Sequence, residues 1–417
     1  MADNNAAVKT KPPVQSGGKS MTALLGAAFL MATSAIGPGF LTQTAKFTGE
    51  YGALFALAII TTILLDVTTQ LNIWSIIGVS GMRGQDIANK VVPGLGVFIA
   101  ILVSIGGLVF NIGNVGGAAT GLNVMFGLPI QAGTIIGGAI GILVFLSKDA
   151  KSGMDRLTKY LGSIMIVVVL YVMLRSAPPV GEAVASVGKL NQFPTLVFPI
   201  ITLLGGSCGG YITFSGAHRL LDAGYSGVDD LKQFRKSVTM GVCVSGTMRI
   251  LLFLAVLGVV TAAPQIVGTD SWTASPPAAA FQAGAGNIGH FIFGMVICFA
   301  AITSIIGAAY TSVSFLKTLH PFIMKNEKWF VIGFIFVSTV IMTFLGQPAT
   351  LLVLAGSVNG LILPITLAVI LLASRRKDIV GADYHHPTIL LVLGVCVVLL
   401  TGYTGIKAVP TILTIFG

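Results

Sequence analysis

Apolar residues run along this chain in long blocks, separated by short polar stretches rich in lysine, arginine, glycine and proline. Eleven blocks stand out, at residues 21–47, 52–79, 94–122, 129–148, 156–175, 193–222, 236–263, 287–316, 329–346, 349–374 and 388–405. A helix needs ~20 apolar residues to cross ~30 Å of hydrocarbon. All but the shortest blocks exceed that length, so the pattern predicts an all-α integral membrane protein with eleven membrane-spanning helices.

Two of these blocks carry a helix breaker near their middle. In the first, Gly37-Pro38-Gly39 removes a backbone donor and adds backbone freedom. In the sixth, Leu203–Phe214 reads LLGGSCGGYITF, and each glycine in a helix interior costs ~1 kcal/mol against alanine. Taken singly, the first could be a simple proline kink and the second a surface for close helix packing. As a pair, five blocks apart, they fit two five-helix halves of inverted topology, each opened by a broken helix. In that plan residues 1–20 form a polar cytoplasmic tail, 21–175 the first repeat, 193–374 the second, and 388–405 an eleventh helix. The substrate site is expected where the two breaks meet near mid-membrane.

Composition agrees with a membrane chain: of 417 residues, 54% are hydrophobic and 9% charged. The net charge of +10 would suggest nucleic acid in a soluble protein, but here the basic residues cluster in alternate loops. Lys9, Lys11 and Lys19 precede the first block; Arg83 and Lys90 follow the second; Lys148, Lys151, Arg156 and Lys159 follow the fourth. Arg219, Lys232, Arg235 and Lys236 follow the sixth, Lys317, Lys325 and Lys328 the eighth, and Arg375, Arg376 and Lys377 the tenth. The positive-inside rule then puts the N-terminus in the cytoplasm and, after an odd number of spans, the C-terminus outside. The expected partners are the lipid bilayer and a small inorganic anion, with no nucleic acid; the oligomeric state is left open, a monomer being plausible. The outer stretches 176–192 and 264–286 are expected to be lids or passive connectors. Cys208, Cys243, Cys298 and Cys396 lie in apolar blocks without metal-site spacing. No nucleophile–base pair or phosphate-cradling loop points to an enzyme.

Residues 26–47, GAAFLMATSAIGPGFLTQTAKF, resemble the first span of the Nramp family of proton-coupled divalent-metal transporters. Further resemblances are Gly116-Gly117-Ala118-Ala119-Thr120-Gly121, the Leu203-Leu204-Gly205 lead of the sixth block, and the leucine-rich Leu351–Leu354. The resemblance implies a LeuT-like five-plus-five inverted repeat with eleven helices, the first and sixth broken. Its departures concern the site. The family's Asp-Pro-Gly-Asn is Gly37-Pro38-Gly39-Phe40 here, and its Met-Pro-His is Gly209-Gly210-Tyr211. Acids before the third-span glycines stand as Asn111 and Asn114, and the tenth-span polar residue corresponds to Gly356. None of the family's metal ligands is retained.

A dehydrated divalent cation needs negative or soft ligands. Unwound helix N-termini instead offer free N–H groups and a partial positive charge, which suit anions. Arg249 is the one arginine deep in a block, and a guanidinium matches planar oxyanions. Asp66 is the one acid similarly placed, so a purely structural Arg249–Asp66 pair is the competing expectation. These features point to a secondary transporter of a small anion, bicarbonate or a short carboxylate. The binding residues expected are Gly37, Gly39, Phe40, Ser207, Gly209, Gly210, Tyr211 and Arg249. Uptake of an anion against a negative-inside potential needs a driving ion, and sodium is expected at Thr33, Ser34, Thr303 and Ser304, with no other cofactor. His218 is expected at the cytoplasmic surface. The alternatives are a divalent-cation transporter handling a partly hydrated ion, a transporter of organic solutes with Phe40 and Tyr211 as an aromatic wall, or a non-transporting receptor.

Overall fold

The computed structural model describes residues 31–32, 35–317 and 319–416, so the expected tail at 1–20 and the start of the first span lie outside the described residues. The first half comprises α1 (Pro38–Tyr51), α2 (Phe55–Ser80), α3 (Gly84–Val91), α4 (Leu95–Phe126), α5 (Ile130–Leu146), α6 (Lys148–Ser176) and α7 (Val180–Val187). The second comprises α8 (Val197–Cys208), α9 (Ile212–Asp222), α10 (Leu231–Ala262), α11 (Asp270–Ala274), α12 (Pro276–Leu316), α13 (Pro321–Lys325), α14 (Glu327–Leu345), α15 (Pro348–Ala373), α16 (Lys377–Val380) and α17 (Thr388–Phe416). Among the described residues there is no strand.

Both breaks form where the glycines and proline stand. Upstream of the first, the Ile36 N–H still donates to the Ala32 carbonyl at 2.8 Å. Gly37 is then extended (φ −102°, ψ −174°), and α1 restarts with Pro38 in its first turn, where the missing donor costs nothing. In the second, α8 ends at Cys208 and Gly209 is extended (φ −88°, ψ 160°). Gly210 follows at φ +55°, a left-handed conformation that favours glycine, and α9 begins at Ile212. The close-packing alternative holds for the other two glycines of this segment. A Cβ on Gly205 would collide with the Gly356 carbonyl of α15, and one on Gly206 with the Gln43 amide of α1. Small residues thus let α1, α8 and α15 approach closely, while Gly209 and Gly210 make the break.

Two outer stretches differ from expectation. Residues 176–192 contain α7, which turns back from α6 at 102°. Residues 264–286 contain α11, capped by the Thr269 hydroxyl accepting from the Trp272 N–H at 3.3 Å, and the first turns of α12. Proline at the α12 N-terminus starts a helix rather than preventing one, so the Pro/Ala-rich composition was misleading. The helix bends at Gly286 (φ +65°), which is where the eighth span was expected to start. The last helix continues through Pro410 to Phe416, beyond the expected residue 405.

Eight helical stretches are long and apolar enough to cross a membrane among the described residues, or nine with the bent α6–α7 pair. Within that count α1 and α2 run on through a short 3-10 turn as one stretch, and α5, with 17 residues, is shorter than the rest. α12 lies along α4, α15 packs against α4 and α8, and α10 packs against α2 and α6. These contacts bring both breaks into one interior.

Candidate functional site

Phe40 of α1, Thr62 and Asp66 of α2, Ser207 of α8, and Ser245 and Arg249 of α10 line one cavity beside the two breaks. As it stands it holds about one water-sized occupant, so a larger solute needs its lining to move apart. Arg249 is only 2% exposed, with its Cζ 4.3 Å from the centroid of the Phe40 ring. Among the described residues its Nε and Nη2 atoms have no hydrogen-bond partner. Those two N–H groups form the edge of a guanidinium that clasps a carboxylate in parallel. Asp66, 3% exposed, accepts from Gln70 Nε2 at 2.6 Å, and the Ser207 and Cys208 side chains approach it. Among the described residues no ion pair joins Arg249 to Asp66. The structural-pair expectation is thus replaced by two opposite charges lining one cavity, with the guanidinium edge bare.

A second polar group lies between the breaks. Asn114 of α4 is fully buried, and among the described residues neither amide atom meets strict hydrogen-bond geometry. Its Oδ1 would be 3.9 Å from a Cβ on Gly37, and Ser304 Oγ 3.2 Å from the same point. Tyr211 faces Asn114 with its hydroxyl and packs edge-on to Phe110 at 5.8 Å. Asn359 of α15 donates to the Gly106 and Ala355 carbonyls at 2.9 and 2.8 Å, leaving Oδ1 unpartnered against Gly210. Gln43 donates to the Leu352 carbonyl at 2.8 Å, leaving its Oε1 unpartnered.

The expected residues therefore divide. Phe40, Ser207 and Arg249 share the cavity. Gly37 forms the first break, and Gly209, Gly210 and Tyr211 the second. Gly39 faces Gln43 and the Leu352 carbonyl. Ser304 meets Gly37, whereas the Thr303 hydroxyl donates back to the Phe299 and Ala300 carbonyls of its own helix. Thr33 and Ser34 lie outside the described residues. His218 is not at the surface: it is 4% exposed, tilted against the Phe214 and Phe315 rings, and its Nε2 accepts from the Gly84 N–H at 3.2 Å. Aromatic neighbours on α9 and α12 enclose it. Gln43 and Asn359 are absent from the expected set; an uncharged amide in the middle of an apolar block is the signal that marks both. The polar group of α15 is Asn359, one turn beyond Gly356.

Paired breaks within a helical bundle, enclosing a polar cavity, define a membrane transporter of LeuT-like fold. Residues 28–409 match the family described as Natural resistance-associated macrophage protein-like, Nramp, and the chain belongs to that family. An uncharacterized membrane protein of Bacillus subtilis strain 168, YcsG, is 53% identical over 392 residues, 94% of this chain and 95% of that one. An uncharacterized membrane protein of Haemophilus influenzae Rd is 50% identical over 396 residues, 94% of this chain and 97% of that one. Among solved structures, a mutant of the Eremococcus coleocola manganese transporter aligns with TM-score 0.69 at 16% identity, over 97% of this chain and 90% of that one. MhsT, in complex with L-phenylalanine, aligns with TM-score 0.61 at 17% identity, over 95% and 98%. The family's members are transporters rather than enzymes, and this chain is a multi-pass membrane transporter.

Proposed function

We propose that this transporter carries a small carboxylate anion, bicarbonate or a short organic acid, by alternating access around the two breaks, energised by a co-transported cation. The observation that carries the proposal is the bare Nε–Nη2 edge of Arg249, buried in the cavity against Phe40. A buried guanidinium with unpaired donors is costly, and a carboxylate is the ligand that satisfies both donors at once. The Phe40 ring face supports the cation from one side and leaves its edge free. We place the N-terminus in the cytoplasm from the distribution of basic loops.

A second reading, divalent-metal transport, is favoured by the likeness to the manganese transporter. Against it stands the donor set. Among the described residues no three His, Cys, Asp or Glu side chains come together to hold a metal ion. The polar side chains against the break glycines are the neutral Ser304 hydroxyl and the amides of Asn114 and Asn359, with the Gln43 amide against Gly39 and Gly206.

The test is uptake by proteoliposomes of labelled bicarbonate, acetate, glycolate and lactate beside manganese. Saturable carboxylate uptake that Arg249→Ala abolishes supports the proposal. Manganese uptake with no carboxylate uptake replaces it with the second reading.

A further inference from the structure

We infer that Asp66 is the proton-carrying group of this transporter, taking up one proton for each carboxylate that binds at Arg249. The inference rests on the carboxylate reading above and adds what drives it. Its ground is the arrangement of charge in one cavity. Asp66 and Arg249 both line it, yet they are not ion-paired, and among the described residues nothing bonds the guanidinium edge, which is open to a second anion. When that anion enters, two carboxylates and one guanidinium share one buried site. Like charges brought together in a desolvated site cannot both stay ionised without a compensating cation. A proton on Asp66 is the smallest such cation.

The surroundings of Asp66 suit both of its protonation states. Gln70 Nε2 donates to Asp66 Oδ1 at 2.6 Å, while Gln70 Oε1, also buried, has no partner. Rotating that amide presents Oε1 as an acceptor for a carboxylic O–H, so one side chain serves the ionised and the protonated acid. The titratable groups that face Asp66 are Arg249 from α10 and Cys208 from α8. Ser207 of α8, Ser245 of α10 and Thr62 on its own helix add neutral hydroxyls. The cycle balances. A proton from the outer water forms an O–H bond on Asp66 as the carboxylate docks. The same bond breaks when the site opens inward, and proton and carboxylate leave together. A monoanion moves with no net charge, so the membrane potential does not oppose its uptake.

The test is calorimetric titration of potassium acetate, glycolate and lactate into the full-length protein in detergent, in two buffers of different ionisation enthalpy. The wild type is expected to take up about one proton per carboxylate bound, with Kd rising with pH by up to about tenfold per pH unit. Replacing potassium by sodium should leave Kd unchanged. Asp66→Asn, an uncharged near-isostere, should bind the same carboxylate with no proton uptake and a flat pH profile. Carboxylate binding by the wild type without proton uptake, or with a requirement for sodium, overturns the role of Asp66 and leaves the carboxylate reading standing. Failure of all three carboxylates to bind overturns that reading and the inference with it. The wild-type measurement depends on no variant folding.

Discussion

The guanidinium of Arg249 lies 4.3 Å over the ring of Phe40 and makes no ion pair with Asp66, although both charges line the same cavity. The contact keeps a buried cation in place without using its hydrogen-bonding edge. A desolvated cation–π contact is worth ~2 kcal/mol. Phe40→Leu, which keeps most of the volume but no ring, frees Arg249 to turn toward Asp66. Carboxylate Kd is expected to rise about tenfold to thirtyfold, read by titration calorimetry. An unchanged Kd would show that the ring does not position the guanidinium.

The first break bears on charge. Gly37 is extended rather than left-handed, and a Cβ there would sit 3.2 Å from Ser304 Oγ, a contact that a small shift relieves. Gly37→Asp should therefore fold, while adding a negative charge to the site. Carboxylate uptake is expected to fall at least about tenfold by like-charge repulsion, measured as initial rate in proteoliposomes. Faster uptake by this variant would place the substrate elsewhere.

Glycines in this chain are not equivalent, and two alanine substitutions separate their roles. At Gly210 a Cβ meets the Asn359 amide oxygen and the backbone is left-handed, so Gly210→Ala should destabilise by ~1–3 kcal/mol. At Gly307, inside α12, a Cβ meets nothing within 4 Å, and Gly307→Ala should be neutral or stabilising by up to ~1 kcal/mol. Thermal unfolding in detergent reads both. Equal melting temperatures for the two variants would contradict the assigned role of Gly210.

Outside the spans, His386 joins the connection before α17 to α2. Its Nε2 lies 2.8 Å from Asn72 Oδ1 and its Nδ1 2.8 Å from the Tyr384 hydroxyl. Asn72 Nδ2 is occupied by the Thr68 and Leu390 carbonyls, so its Oδ1 accepts from His386 Nε2–H, and Tyr384 donates to Nδ1. Burial, with Arg235 and Arg375 adding to it, lowers the imidazole pKa to about 4. The unfolded chain then binds this proton from near pH ~6.5 downward, while the folded protein stays neutral until about 4. Stability from this group is thus full above ~6.5 and lost as pH falls toward 4. His386→Gln should flatten the melting temperature across that window; a slope identical to wild type would assign the acid sensitivity to other groups.

Much of this architecture is legible in residue order because its causes are local. Gly37-Pro38 and Gly209-Gly210 break helices through their own backbone chemistry, and apolar length marks the spans. The same local logic missed the helix that proline begins within residues 264–286, a stretch expected only as a lid or connector. It also put His218 at a surface that aromatic rings from α9 and α12 in fact close over. The relation of Asp66 to Arg249 was beyond local reading, since helices far apart in the chain set whether the two charges touch. Asn114 was visible as a departure from the family's acids, but its amide facing Gly37 emerges only when α4 packs beside the first break.

The central claim is that the bare edge of Arg249 holds a carboxylate. Its most direct measurement is the saturable initial rate of glycolate uptake by proteoliposomes containing wild-type protein or Arg249→Lys. Lysine keeps the positive charge but loses the parallel pair of donors, one charge-assisted hydrogen bond worth ~1.5–3 kcal/mol. The account predicts saturable uptake by the wild type and an apparent affinity about tenfold to a hundredfold weaker in Arg249→Lys. Equal affinities in the two proteins would contradict it.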